Sequence, residues 1–64
     1  MIEIYVGGNI YYESNMAIDD FYKLIMDNFI NPDIFIEIPL SDGNTAYIKK
    51  AAVISFNNLI EPVN

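Results

Sequence analysis

The chain has 64 residues, 53% of them hydrophobic, and nine acidic side chains against three lysines give it a net charge of −6. Because cysteine and histidine are absent, it has neither disulfides nor the commonest transition-metal ligands, and we expect no metal site and no cofactor. The negative charge and the lack of arginine argue against direct binding to nucleic acid or to anionic lipid, since both present phosphates to cations. An acidic surface favours a basic protein partner instead.

The length is enough for one domain with one small core, which we place over residues 1–64. Domains this small commonly gain stability from disulfides, a metal or oligomerisation, and only oligomerisation remains available here. The N-terminal segment lacks the positive region of a secretory signal, and no apolar run approaches the roughly 20 residues of a membrane span. We therefore expect a cytoplasmic protein that makes no membrane contact.

The first predicted element is a β-hairpin. Apolar and polar side chains alternate over residues 2–6 and again over 10–13, which is typical of half-buried strands. A three-residue loop over 7–9, with Asn9 in the left-handed conformation, keeps the apolar residues on one face. The predicted pairs are Val6 with Ile10 and Ile4 with Tyr12 inside, and Tyr5 with Tyr11 and Glu3 with Glu13 outside.

A long helix is predicted next, over Met16–Ile30, with Ser14 and Asn15 as capping residues and Asn31-Pro32 as its stop. Its apolar surface spans roughly 200°, more than one sheet face can cover. We expect the uncovered flanks to form the interface of a homo-oligomer, a dimer or higher. The core-facing stripe contains Ile18, Phe21, Tyr22, Ile25 and Phe29, and the interface residues are Ala17, Leu24, Met26 and Ile30.

A second hairpin follows the helix. Alternating isoleucines over residues 34–38 predict a third strand, and residues 45–48 predict its partner. A three-residue loop, Asp42-Gly43-Asn44, keeps the apolar side chains together. The expected pairs are Ile38 with Ile48, Leu40 with Ala46 and Glu37 with Lys49, with Pro39 on the outer face at a strand end.

A short closing strand over Val53–Phe56 completes the predicted order β-β-α-β-β-β, an α+β fold whose antiparallel sheet could curl into a small barrel. A strand, a tight turn and a short strand resemble the closure of SH3-like and Sm-like barrels, although here the helix lies between the second and third strands. The segment after residue 57 contains Leu59, Ile60 and Val63. It docks on a neighbour, covers the apolar flank of the helix within one chain, or frays.

Few groups are suited to catalysis, and we expect the protein not to be an enzyme. Without histidine, the serines and the threonine have no activating base except lysine. The Asp42-Gly43-Asn44 turn lacks the remaining ligands of a calcium loop, including the terminal glutamate. A strand, not a helix N-terminus, follows Gly7-Gly8, so no phosphate site is indicated.

The opposed carboxylates Glu3 and Glu13 are the most distinctive feature. They are either a docking point for a partner's basic side chain, a weak cation site, an acid–base pair, or two solvated neighbours. Tyr5 and Tyr11 beside them suit a protein interface, a plain surface position or burial under a second sheet, whereas the carboxylates disfavour stacking on nucleic-acid bases. The helix carries a polar arc that is either its solvated side or a further binding surface, and its aspartates are Asp19, Asp20 and Asp27.

The function favoured by these features is a non-enzymatic acidic protein-binding module. It would be a small inhibitor or adaptor of the phage or mobile-element type that occludes a basic partner protein. The alternative is a self-assembling structural or small-ligand-binding homo-oligomer, in which the acidic charge serves solubility. The predicted partner-binding residues are Glu3, Tyr5, Tyr11, Glu13, Asp19, Asp20 and Asp27.

Overall fold

The computed structural model describes residues 1–59, which contain five β-strands, one α-helix and a short 3₁₀ helix. The predicted α+β composition is confirmed. The order differs from the prediction in the 3₁₀ helix that precedes the last strand, and that strand begins at Ser55, not at Val53. The elements are β1 (Ile2–Gly7), β2 (Ile10–Ser14), α1 (Ile18–Met26), β3 (Phe35–Pro39), β4 (Thr45–Lys49), the 3₁₀ helix (Lys50–Ala52) and β5 (Ser55–Asn58).

The strands form two antiparallel sheets, and the predicted barrel is wrong. One sheet has the order β2-β1-β5, and the other consists of β3 and β4. A single bridge, between Ser14 and Leu40, joins β2 to the second hairpin within residues 1–59. Pro39 has no N–H, so a ladder with β2 cannot continue along β3. Its carbonyl instead accepts a hydrogen bond of 2.6 Å from the Ser14 hydroxyl.

The first hairpin keeps the predicted faces except at Ile10, which is 54% exposed, and it turns differently. The predicted pair Val6–Ile10 is wrong. Gly7 pairs with Ile10, so the turn is the two-residue Gly8-Asn9 and not the predicted three-residue loop. A bulge at Val6 absorbs the extra residue, which is why a two-residue turn and the predicted pairing coexist. The φ angles of 59° at Gly8 and 61° at Asn9 suit the twist of a tight hairpin. The confirmed pairs are Ile4 with Tyr12, Tyr5 with Tyr11 and Glu3 with Glu13.

The helix is shorter than predicted at both ends. It begins after Ala17 with no side-chain cap, so Ser14 and Asn15 do not cap it. It ends at Met26 because the Asp27 carboxylate accepts a hydrogen bond of 2.9 Å from the backbone N–H of Phe29, a local turn that competes with helix. Phe29, expected in the core, therefore lies beyond the helix and is 99% exposed.

The second hairpin is shifted by two residues from the predicted register. Leu40 N–H donates to the Asn44 carbonyl at 2.8 Å, so the loop is Ser41-Asp42-Gly43. Gly43, with φ of 91°, takes the left-handed position in this loop. Pro39 is exposed at the strand end, as predicted. The pairs are Phe35 with Lys49, Ile36 with Ile48, Glu37 with Tyr47, Ile38 with Ala46 and Pro39 with Thr45, and the predicted pairs Ile38–Ile48, Leu40–Ala46 and Glu37–Lys49 are wrong.

One core lies between the two sheets and α1. The Phe21 ring packs edge-on against Phe56 of β5, with centroids 4.9 Å apart, and so holds the helix against the first sheet. The Lys50 ammonium donates to the carbonyls of Asp27 at 2.5 Å and Ile30 at 3.0 Å, which fixes the segment after the helix. No helix within residues 1–59 has the length and apolar character that a membrane span requires. The buried core residues are Ile2, Ile4, Phe21, Ile36, Ile38 and Ile48.

Candidate functional site

The outer surface of the first sheet carries the four hairpin residues predicted to bind a partner. Ile2 and Ile4 are completely buried on the inner side of β1, so Glu3 and Tyr5, which alternate with them, project outward. Their neighbours across β2 project the same way, because opposed residues of an antiparallel pair share a face. We call the surface formed by Glu3, Tyr5, Tyr11 and Glu13 the acidic face.

The acidic face is ordered by contacts among its own side chains. The Tyr5 hydroxyl donates to Glu3 Oε2 at 3.2 Å, and the Asn57 amide donates to Glu3 Oε1 at 3.4 Å. The rings of Tyr5 and Tyr11 lie 5.6 Å apart at an interplanar angle of 35°. Tyr11 remains 48% exposed. Glu3 is thus held from two sides, while an aromatic surface beside it stays open to contact.

The charge of this face is not neutralised by its own strands. β1, β2 and β5 contain no lysine, whereas Glu3 and Glu13 are directly opposed. Partial burial, together with the hydrogen bond to the Glu3 carboxylate and its charge, raises the pKa of Tyr5 above 10.0. The Tyr5 hydroxyl is protonated at neutral pH and donates its one proton to Glu3, so it can only accept a hydrogen bond from a partner. The face presents negative charge and hydroxyl groups to the solvent.

The three helix aspartates are not part of the acidic face. Asp19 and Asp20 are exposed in the first turn of α1. α1 packs on the inner side of the sheet through Phe21, whereas Glu3 and Glu13 lie on the outer side. Asp27 is half-buried after the helix, where its carboxylate accepts the Phe29 N–H. The structure thus separates two surfaces that the prediction treated as one set.

The predicted oligomer-interface residues differ in exposure. Ala17 and Met26 are exposed, Met26 by 57%, whereas Leu24 and Ile30 are half-buried against the core. Tyr22, which the prediction placed toward the core, is 53% exposed. Residues four apart share a helix face, so Tyr22 and Met26 form an exposed apolar pair.

A cleft next to the acidic face was not predicted. It lies between β2 and the loop of the second hairpin, where the Ser41 N–H donates to the Glu13 carbonyl at 2.9 Å. Its volume is about 340 Å³. The sequence identified Asp42 only as a turn residue, because no local pattern shows that a second hairpin meets Glu13. The cleft is lined by Tyr11, Tyr12, Glu13, Leu40, Ser41 and Asp42.

A second groove, of about 290 Å³, opens between the two sheets and is mainly apolar. At its rim the Lys49 ammonium lies 5.6 Å from the centre of the Phe35 ring, a cation–π distance. The Tyr47 hydroxyl donates to Glu37 at 3.2 Å, and this bond and the charge of Glu37 raise the pKa of Tyr47. The groove is lined by Val6, Tyr12, Phe35, Tyr47, Ile48, Lys49 and Ala52.

Within residues 1–59 there is no group of three or more His, Cys, Asp or Glu side chains positioned to hold a metal ion. Comparison with protein-family models, with curated proteins and with solved structures finds no match to this chain.

Proposed function

We propose that the protein is a non-enzymatic binding module whose acidic face occludes a basic site on another protein. The observation that carries this proposal is the direct opposition of Glu3 and Glu13 beside two tyrosine rings. In this proposal the protein acts as a small inhibitor or adaptor, of the kind that phages and mobile elements encode.

The composition of the face supports a protein partner. Directly opposed like charges destabilise a strand pair, so a cation brought by a partner relieves a repulsion that the free protein carries. Tyrosine is enriched at interfaces because its flat ring buries apolar area while its hydroxyl forms a hydrogen bond. An acid–base pair would instead need both carboxylates in one concave site, whereas Glu13 lines the cleft and Glu3 does not.

Affinity capture from a bacterial lysate, followed by measurement of binding to the purified candidate, tests the proposal. The test variant is the double change Glu3→Gln and Glu13→Gln. The control is Asp33→Asn with Glu37→Gln, two exposed carboxylates elsewhere, which removes the same charge. We expect a basic, stoichiometric partner whose binding is lost only in the test variant. An equal loss of binding in both variants would mean that net charge, and not this face, attracts the partner.

Self-assembly is a second candidate function, favoured by a different observation. Tyr22 and Met26 are each more than half exposed on one face of α1, and Phe29 is 99% exposed just beyond it. Burying these side chains against a second copy would contribute about 25 cal/mol per Å² of apolar area. Sedimentation at micromolar concentration tests this. We expect an oligomer that Met26→Lys dissociates, and a monomeric wild-type protein would contradict it.

A further inference from the structure

We propose that the cleft lined by Tyr11, Tyr12, Glu13, Leu40, Ser41 and Asp42 binds an arginine side chain of the basic partner. This inference rests on the proposed function and extends it, because it assigns a specific side-chain pocket beside the acidic face.

The cleft is preformed by backbone contacts. One wall comes from β2 and the other from the loop of the second hairpin. The bridge between Ser14 and Leu40 and the hydrogen bond from Ser41 N–H to the Glu13 carbonyl hold the two walls together. A cleft held in this way loses little conformational freedom when a ligand enters, which favours binding.

The two walls place complementary groups for a guanidinium. Asp42 accepts hydrogen bonds from the backbone N–H of Asn44 at 2.9 Å and from its side-chain amide at 3.1 Å. These bonds lower the pKa of Asp42, so its carboxylate is ionised at neutral pH. Glu13, a second acidic residue, lines the opposite wall. Because each acid stands on a different hairpin, a planar fork of N–H donors matches them better than a compact ammonium.

Tyr11, which lies on the same face of β2 as Glu13, also lines the cleft, and the faces of aromatic rings attract guanidinium groups. Two of the chain's three lysines are engaged elsewhere. Lys50 donates to the carbonyls of Asp27 and Ile30, and Lys49 lies over the Phe35 ring. Within residues 1–59, no lysine or arginine is among the residues that line the cleft, so the cleft lacks a cation of its own.

An NMR titration of the full-length, ¹⁵N-labelled protein with N-acetyl-arginine methylamide tests the inference without a known partner. We expect a dissociation constant on the order of 1 to 10 mM, with the largest amide shifts at Tyr11, Glu13 and Asp42. Asp42→Asn keeps an oxygen for the Asn44 N–H and removes the charge, so it should weaken binding by about three- to fivefold. Asp33→Asn, an exposed carboxylate outside the cleft, should leave the affinity unchanged.

The neutral citrulline derivative should produce no comparable shifts, and the lysine derivative should bind more weakly. Equal shifts from arginine and citrulline, or shifts spread over all carboxylates, would overturn the inference.

Failure of the cleft assignment is distinguishable from failure of the proposed function. If Asp42→Asn leaves partner binding intact while Glu3→Gln with Glu13→Gln abolishes it, the acidic face stands and the cleft assignment falls. If arginine binds in the cleft but no basic partner is captured, the cleft binds arginine and the proposed function falls.

Discussion

The hydroxyl of Ser14 donates a hydrogen bond of 2.6 Å to the backbone carbonyl of Pro39 and accepts one of 3.1 Å from the backbone N–H of Met16. Ser14 is completely buried at the point where β2 meets the second hairpin. One small side chain thus links the first sheet, the segment that leads into α1 and the end of β3. The position of the cleft beside Glu13 depends on this link.

We predict that Ser14→Ala lowers the free energy of unfolding by about 1 to 3 kcal/mol, because the Pro39 carbonyl and the Met16 N–H both lose their partner. Urea denaturation followed by circular dichroism measures the change. Ser55→Ala, at an exposed position of β5, is the matched control and should change stability by less than about 0.5 kcal/mol. Equal effects of the two substitutions would contradict the role of Ser14.

Phe21 and Phe29 should respond very differently to truncation. Phe21 is completely buried against Phe56, so Phe21→Ala should cost about 3 to 5 kcal/mol and leave much of so small a domain unfolded. Phe29 is 99% exposed, and Phe29→Ala should change the unfolding free energy by less than about 0.5 kcal/mol. A large loss of stability in Phe29→Ala, measured where the protein is monomeric, would contradict the exposure of Phe29.

The contrast between these two residues shows what the sequence alone could predict. Alternating side chains identified every strand, the faces of both hairpins and the opposition of Glu3 and Glu13. Helical periodicity placed Phe21 in the core. It also extended the helix to Ile30, because an apolar pattern does not show that the Asp27 side chain accepts the Phe29 N–H and stops the helix.

Other differences arise from choices that side-chain patterning does not constrain. A strand shifted by two residues keeps the same side chains inside, so the pattern could not distinguish Ile38 opposite Ala46 from Ile38 opposite Ile48. The meeting of Glu13 with the loop that carries Asp42 is a tertiary contact between segments far apart in sequence. The acidic face was therefore predictable from local patterns, and the cleft was not.

The second hairpin provides a test of the observed register. Gly43 has φ of 91°, so Gly43→Ala should lower the unfolding free energy by about 1 to 2 kcal/mol. Asn44→Ala should cost less than about 0.5 kcal/mol, because its exposed side chain contacts only Asp42 and its backbone bonds remain. Thermal or urea unfolding of the two variants measures the difference. The reverse order of effects would support a loop over Asp42-Gly43-Asn44 instead.

The contact between Glu3 and Tyr5 in the acidic face should be measurable through the pKa of Tyr5. Partial burial and the neighbouring Glu3 raise the pKa of Tyr5, so Glu3→Gln should move that pKa down toward 10.0. NMR titration of the labelled tyrosine ring carbons follows Tyr5 individually. Glu37→Gln is the control, since it should lower the pKa of Tyr47 and leave Tyr5 unchanged. No response of Tyr5 to Glu3→Gln would mean that the two side chains are not in contact.

The same shift predicts the direction of a pH effect on stability. Folded Tyr5 holds its proton more tightly than the unfolded chain does, so its contribution is complete below pH 10.0 and is lost as the pH rises through the raised pKa. As the pH rises through that pKa, the unfolding free energy of the wild-type protein should fall, and that of Tyr5→Phe should fall less. An equal fall in both would contradict the assignment.

The most direct test of the acidic face as a partner-binding surface is the affinity of Glu13→Lys for the captured partner, measured together with its stability. Exchanging a repulsive pair for an attractive one should leave the unfolding free energy equal or a few tenths of a kcal/mol higher. Glu37→Lys, which causes the same charge change on the other sheet, is the control. We predict that Glu13→Lys weakens binding by at least about tenfold while the control stays close to wild type. Wild-type affinity in a folded Glu13→Lys protein would contradict the account.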